Sequence, residues 1–138
     1  MGIKQISVFV ENSAGRLAEV TRVLANAGIN LRAMSIADTA DFGILRIIVD
    51  KSDAALQALQ NGGFTTRVSD VAAVEIEDSP GSLAGVMDLF RKSNVNIEYL
   101  YASLEGQAGK AVVIFKLEDH KKGLQILKDN GLQMVSSF

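Results

Sequence analysis

Cysteine is absent from the 138-residue chain, and histidine occurs once, at His120. No disulfide framework, thiolate metal site, iron–sulfur cluster or cysteine nucleophile can therefore be built. A single imidazole excludes a histidine-rich metal site and any mechanism that needs two. Proline also occurs once, tryptophan is missing, and aromatic residues make up only 6%. No apolar run approaches the roughly 20 residues that a membrane-spanning helix needs. The opening Met-Gly-Ile-Lys-Gln-Ile lacks a charged stretch followed by an apolar core, so no signal peptide is expected and the expected location is the cytoplasm. Charge of one sign is also lacking. Fourteen Lys+Arg face 16 Asp+Glu, a formal net charge of −2, and no Lys/Arg cluster marks a nucleic-acid footprint. With 48% hydrophobic residues, the composition excludes a disordered chain.

What is present is a repeat, which decides the fold if it is real. Ser13-Ala14-Gly15-Arg16-Leu17-Ala18 parallels Ser79-Pro80-Gly81-Ser82-Leu83-Ala84 at an offset of 66 (79 − 13). The same offset pairs Val8 with Val74, Glu11 with Glu77, Val20 with Val86, Asn30 with Asn96 and Gly43 with Gly109. Leu56-Gln57, Leu59 and Gly63 match Leu124-Gln125, Leu127 and Gly131 at an offset of 68 (124 − 56). Two residues are thus inserted near the third strand of the second copy. The expected domains are 1–70 and 71–138.

Both copies read alike. Residues 3–10 alternate and are rich in Ile, Val and Phe, as a half-buried strand is. Leu17, Val20, Leu24 and Ala27 recur at helical spacing, and Gly28 follows where a left-handed residue ends a helix. Asn94 replaces it in the second copy. Strands are expected over 30–38 and 42–49, with a turn near Thr39-Ala40-Asp41. A short helix from Ala54 to Gln60 and a strand over 64–69 follow. The second copy repeats this with strands near 72–77, 96–104, 109–117 and 132–137, and helices near 80–93 and 119–129. The order β-α-β-β-α-β, twice, is the ferredoxin-like plan, an α+β fold with antiparallel sheets and helices on one face. With almost no linker between Arg67 and Val71, the copies are expected to be rigidly tied, sheets side by side.

The segment Glu11-Asn12-Ser13-Ala14-Gly15-Arg16-Leu17 and its partner Glu77-Asp78-Ser79-Pro80-Gly81-Ser82-Leu83 each join a strand to a helix. Ser13 and Ser79 suit N-caps, and Pro80 suits the first helical position. Gly15 and Gly81 then fall in the first turn, where glycine lowers helix stability by about 1 kcal/mol relative to Ala. Close approach of a partner or ligand would explain that choice, and the free N–H groups of a helix start attract a carboxylate. The plainer reading is a capped helix that binds nothing.

Asp78-Ser79-Pro80-Gly81-Ser82-Leu83-Ala84 with Val86 and Asn94-Val95-Asn96-Ile97 resembles the ACT domain signature. Asn12-Ser13-Ala14-Gly15-Arg16-Leu17-Ala18 with Gly28-Ile29-Asn30-Leu31 resembles it again, so the resemblance covers the whole chain as a stand-alone tandem pair. It implies a regulatory module that binds an amino acid at an interface between two ACT units. The carboxylate would lie against the N–H groups around Ala14–Leu17 or Pro80–Leu83. Asn12, Asn30, Asp78 and Asn96, with Leu31 and Ile97 beside them, would complete the sites. The copies differ at Ala14 against Pro80 and Arg16 against Ser82.

Other residues are weighed against ordinary packing. Arg46 shares a strand face with Phe42, Ile44 and Ile48, opposite Leu45, Ile47 and Val49, which are assigned to the helices. An apolar second face implies cover by a homodimer or another sheet contact. Arg46 then meets a ligand carboxylate or a partner's acid, or is simply solvated. Tyr99 and Tyr101 share one face and either line a pocket or pack as strand residues, while Met34 and Leu100 point to the core. His120, in a polar run, reads as solvated. Gly109-Lys110 and Gly62-Gly63 lack phosphate-loop spacing. No cofactor, metal site or nucleophile–base pair can be assembled, so an enzyme is not expected. The leading expectation is an amino-acid-binding regulatory protein that signals through quaternary packing. The alternative is a ligand-free module that regulates a metabolic enzyme subunit.

Overall fold

Alternating apolar residues make strands here because one face of each strand meets helices whose own apolar residues recur every three or four positions. The computed structural model describes residues 2–38, 41–104 and 106–138. Its elements are β1 (Ile3–Glu11), α1 (Arg16–Asn26), β2 (Leu31–Asp38), β3 (Phe42–Val49), α2 (Ser52–Asn61), β4 (Thr65–Glu77), α3 (Ser82–Lys92), β5 (Ile97–Ala102), β6 (Lys110–Leu117), α4 (His120–Asp129) and β7 (Gln133–Val135). The chain divides into two compact units, Lys4–Ser69 and Asp70–Ser137, with Gly2 and Ile3 belonging to the latter. The strands expected over 64–69 and 72–77 form one 13-residue strand, β4, inside which the division falls. The turn expected at Thr39-Ala40 lies outside the described residues.

Each unit is ferredoxin-like. In the first, β3 pairs antiparallel with β1 and with β2. Ile6, Val8 and Val10 of β1 and Leu45, Ile47 and Val49 of β3 meet Val20 and Leu24 of α1 and Ala55 and Leu59 of α2. In the second, β6 pairs with β4 and β5, and β7 pairs with β4, all antiparallel. Its core joins Val74, Val113, Phe115 and Leu117 to Val86, Phe90 and Leu127, with Phe90 and Phe115 edge to face at 5.3 Å. Each buried Val, Leu, Ile or Phe among these stabilises its unit by roughly 1.5–3 kcal/mol relative to exposure.

Strand register corrects two readings. Val10 opposes Gly43 in the first unit, and Ile76 opposes Ala111 in the second. Gly43 therefore corresponds to Ala111, not to Gly109, and the two-residue insertion lies between β5 and β6. Met34 and Leu100 are 41% and 38% exposed and lie outside the cores. Each points to the helix side of its sheet, but from β2 or β5 at the edge, beyond the cover that the helices give β1 and β3 or β4 and β6.

Candidate functional site

The first loop leaves β1 where Glu11 opposes Phe42, and the Asn12 N–H donates to the Asp41 carbonyl at 3.0 Å. The Arg16 N–H then reaches back to the Ser13 carbonyl at 3.4 Å, with Gly15 at φ 86, ψ −10 between them. The second loop repeats this: the Asp78 N–H donates to Gly109, the Ser82 N–H to Ser79, and Gly81 has φ 89, ψ −13. A four-residue turn whose third residue has these angles is type II, which demands glycine there and favours proline just before it. Gly15 and Gly81 are thus the residues immediately before α1 and α3, not members of the first helical turn. Pro80 is the second turn residue rather than the first helical one. Ser13 and Ser79 open the turns and do not cap the helices; neither helix has a side-chain cap. The Ser79 hydroxyl meets that of Ser82 at 2.9 Å.

The turn delivers unbonded donors. The helical ladder begins with Glu19 N–H to Gly15 carbonyl, and with Gly85 N–H to Gly81 carbonyl, both at 3.0 Å. The N–H groups of Leu17 and Ala18, and of Leu83 and Ala84, precede that ladder and have no acceptor within their helices. They and the helix dipole make a small exposed field for an anion. In the first unit Arg16 lies over the Phe64 ring, 5.0 Å from its centroid, and pairs with Glu19.

The asparagines sit elsewhere. α1 ends with the Gly28 N–H on Ala25 and the Ile29 N–H on Leu24. This Schellman pattern needs a left-handed residue. Gly28 supplies it at φ 71, and Asn94 supplies it in α3 at φ 56, as expected. Asn30 follows, its N–H on the Asp50 carboxylate at 3.0 Å. Asn96 accepts the Glu118 N–H at 3.0 Å. Asn30 and Leu31 therefore lie at the Val49 end of β3, whereas the loop lies at the Phe42 end. Seven strand steps separate these ends, roughly 24 Å. The same holds for Asn96 and Ile97 against Asp78–Leu83 along β6. No single unit brings the two halves of the motif together.

Arg46 lies mid-strand, and Tyr99 lies one register step from the asparagine end. Arg46 stands between Ser7 and Ser35 on the sheet face turned from the helices, half-buried. Tyr99 opposes Lys116 and Tyr101 opposes Ile114 on the corresponding face. Ala33, Ile48 and Ile114 on these faces are buried within the single chain, whereas Phe9 and Phe42 at the loop end remain exposed.

A family described as the ACT domain pair matches residues 1–137. The chain belongs to this family. A crystal structure of a protein from Bacteroides thetaiotaomicron is similar to this ACT pair at 39% identity and a TM-score of 0.92, covering 98% of this chain and 92% of that one. The regulatory subunit of aspartate kinase from Thermus thermophilus, in ligand-free form, is similar at 20% identity and a TM-score of 0.67, covering 93% and 91%. The corresponding subunit from Thermus flavus is similar at 20% identity and a TM-score of 0.63, covering 94% and 92%. No curated protein matches.

One feature of this ACT pair escaped the sequence reading. Lys110 hydrogen-bonds Glu77 beside the second loop, and that bond holds its ammonium above the ordinary 10.5. The first ACT unit has Phe42 and Glu11 at these positions and so lacks this cross-strand pair, its loop holding Arg16 against Glu19 at the helix start instead. Aligning Gly43 with Gly109 hid this pairing, which register alone reveals. Among the described residues no His/Asp/Glu group could hold a metal, and no helix is long and apolar enough to cross a membrane.

Proposed function

We propose that this ACT pair is a non-catalytic regulatory protein that binds an amino acid between ACT units and signals through its quaternary packing. The units would extend over 1–70 and 71–138. The carrying observation is the separation of roughly 24 Å between loop and asparagine within each unit. One amino acid is too short to touch both. A second unit running the opposite way would set its Asn30 or Asn96 against the loop of the first. The ligand carboxylate would take the free N–H groups among Ala14–Ala18 or among Gly81–Ala84, Pro80 having none, each charge-assisted bond contributing about 1.5–3 kcal/mol. Its ammonium would meet Asn12 or Asp78 and the asparagine of the opposing unit. Arg46 and Tyr99, on the other sheet face, would act only through a further copy, and a homodimer in the cytoplasm is the assembly we infer. Signalling requires that the two packings bind the ligand unequally.

Isothermal titration against the twenty amino acids, with light scattering before and after, tests this. Heat from at least one amino acid and a ligand-dependent change of mass or radius are expected. Twenty blank titrations would reject the reading. The second reading, a ligand-free module that regulates a metabolic enzyme subunit, is favoured by Phe9 and Phe42, 39% and 56% exposed beside each other on the first sheet. The Thermus neighbours are regulatory subunits of such an enzyme. A stable self-dimer that co-purifies with no enzyme would count against it.

A further inference from the structure

The face of the first sheet that turns away from its helices is covered at one end only. Strand register sorts it into rows. Ile48 pairs with Ala33 in one row, and Gln5 lies two residues before Ser7 on β1; all three are fully buried. Next come Ser7, Arg46 and Ser35, then Phe9, Ile44 and Ala37, and last Glu11 and Phe42. Exposure rises in that order. Ser7 is buried, Arg46 and Ile44 are half-buried, and Phe9 and Phe42 are exposed. Successive rows lie roughly 7 Å apart, two residues along each strand.

The second unit does not repeat this surface. Register puts Glu75, Lys110 and Glu77 where the first unit has Phe9, Phe42 and Glu11, and Lys110 pairs with Glu77. The apolar end therefore belongs to the first unit alone, and exposed aromatic side chains of this kind are enriched at protein interfaces. Their surroundings say what fits. Glu11 and Asp41, both exposed, make the outer end negative. Arg46, two rows inward on the same face, makes the other end positive. The patch runs acid, apolar, base along the strands.

We propose that this face docks a second copy of the chain, sheet face to sheet face with the strands reversed, an arrangement that rests on the homodimer inferred above and on no ligand. A two-fold axis across the strands at the Phe9–Ile44 row keeps β1 on β1 and β3 on β3 and exchanges the rows on either side. Phe9 and Ile44 then meet their own counterparts. The Arg46 guanidinium of each copy lies on the Phe42 ring of the other with the Glu11 carboxylate beside it, a cation–π contact joined to an ion pair. An axis along the strands would set the Glu11 row and the Arg46 row each on itself, which like charges oppose. Three strands by three rows measure about 14 Å by 20 Å. That is below the roughly 800 Å² per partner of a stable complex, so the dimer forms reversibly with concentration.

Sedimentation velocity of the full chain, without added ligand and over a wide range of concentration, tests this. A reversible monomer–dimer equilibrium is expected. Phe42→Ser should weaken it by about tenfold or more, with circular dichroism unchanged. Glu11→Arg and Arg46→Glu should each weaken it by about tenfold, because each sets like charges together twice. An equimolar mixture of these two variants should dimerise again, since both contacts of the mixed pair join opposite charges. Disturbed folding cannot be cured by mixing. If Arg46→Glu does not fold, Phe42→Ser and Glu11→Arg decide alone. A chain that is monomeric at every concentration would overturn the proposal, as would a dimer indifferent to both of those variants. Two folded charge variants that stay monomeric when mixed would overturn the reversed arrangement. A monomer that binds an enzyme subunit through Phe42 would overturn self-association in favour of the enzyme-regulating module. A dimer with blank amino-acid titrations would support this surface while rejecting amino-acid binding, so the two failures are distinct.

Discussion

Gly123 lies buried inside α4, where alanine would ordinarily be preferred. A Cβ placed there would stand 2.1 Å from Leu117 Cδ1 and 3.3 Å from its Cγ, and Leu117 is fully buried. The first unit solves the same contact differently. Its α2 carries Ala55 and its β3 carries Val49 at these positions, both buried. One carbon has moved from helix to strand, with the total unchanged. Gly123→Ala should gain about 1 kcal/mol of helix propensity but lose more to overpacking, for a net loss of about 1–2 kcal/mol. Leu117→Val alone removes one buried methylene and should cost about 1 kcal/mol. The double variant recreates the arrangement of the first unit and should recover to within about 0.5–1 kcal/mol of the parent. A coupling of about 1–2 kcal/mol therefore favours the pair. Urea unfolding followed by circular dichroism, with hydrogen exchange of β6 amides to isolate the second unit, measures all three. Strictly additive losses would refute the reasoning.

Gly81→Ala should destabilise by about 1–2 kcal/mol because φ is 89 there, although nothing crowds the site. Gly85→Ala, inside α3 with equal space and ordinary helical φ, should stabilise by about 0.5–1 kcal/mol; the same sign for both in urea unfolding would contradict the turn. Ala14→Pro should copy the second loop and stabilise the first by about 0.4–1 kcal/mol, while removing a donor from the proposed carboxylate site. Unfolding and calorimetric titration should move in opposite directions, and lowered stability would show the two turns to be unlike. Glu77 raises the folded pKa of Lys110 above 10.5. Its contribution is thus fully present below that value and is lost as pH rises through the higher folded one. The stability difference between the parent and Lys110→Met, followed from pH 8 to 12 by urea midpoints, should shrink at the alkaline end; a constant difference would refute the pairing.

The repeat was legible because local chemistry carried it. Alternation, helical spacing and the left-handed residues Gly28 and Asn94 each act within a few positions. What sequence could not show depended on register and on lateral cover. Gly43 and Gly109 match as letters, yet a two-residue shift between β5 and β6 moves one into a turn. Met34 and Leu100 have core-like alternation, but alternation says only which face a side chain takes, not whether a helix reaches that far along the sheet. The serines were misread as caps because Ser-x-Gly before a helix fits both a cap and a type II turn. The glycine angle decides between them. The two candidate ends appeared as one motif in sequence because its halves are only about one helix apart along the chain.

That last point bears on how an ACT pair can diverge. A crossover helix returns the chain to the starting end of the sheet, so the loop before it and the asparagine after it must lie at opposite ends. Each end can then change independently. At the loop end, the second unit has Pro80 and the Glu77–Lys110 pair where the first has Ala14, Glu11 and Phe42, and the first has the Arg16–Glu19 pair where the second has Ser82 and Gly85. At the far end, the first unit has Asp50 on the Asn30 N–H and Lys51 on the Gly28 carbonyl, where the second has Glu118 and Asp119. The two units therefore differ in their polar groups at both ends, and the exposed phenylalanines Phe9 and Phe42 lie on the first. Equal roles for the two units would require these substitutions to be interchangeable although their partners differ.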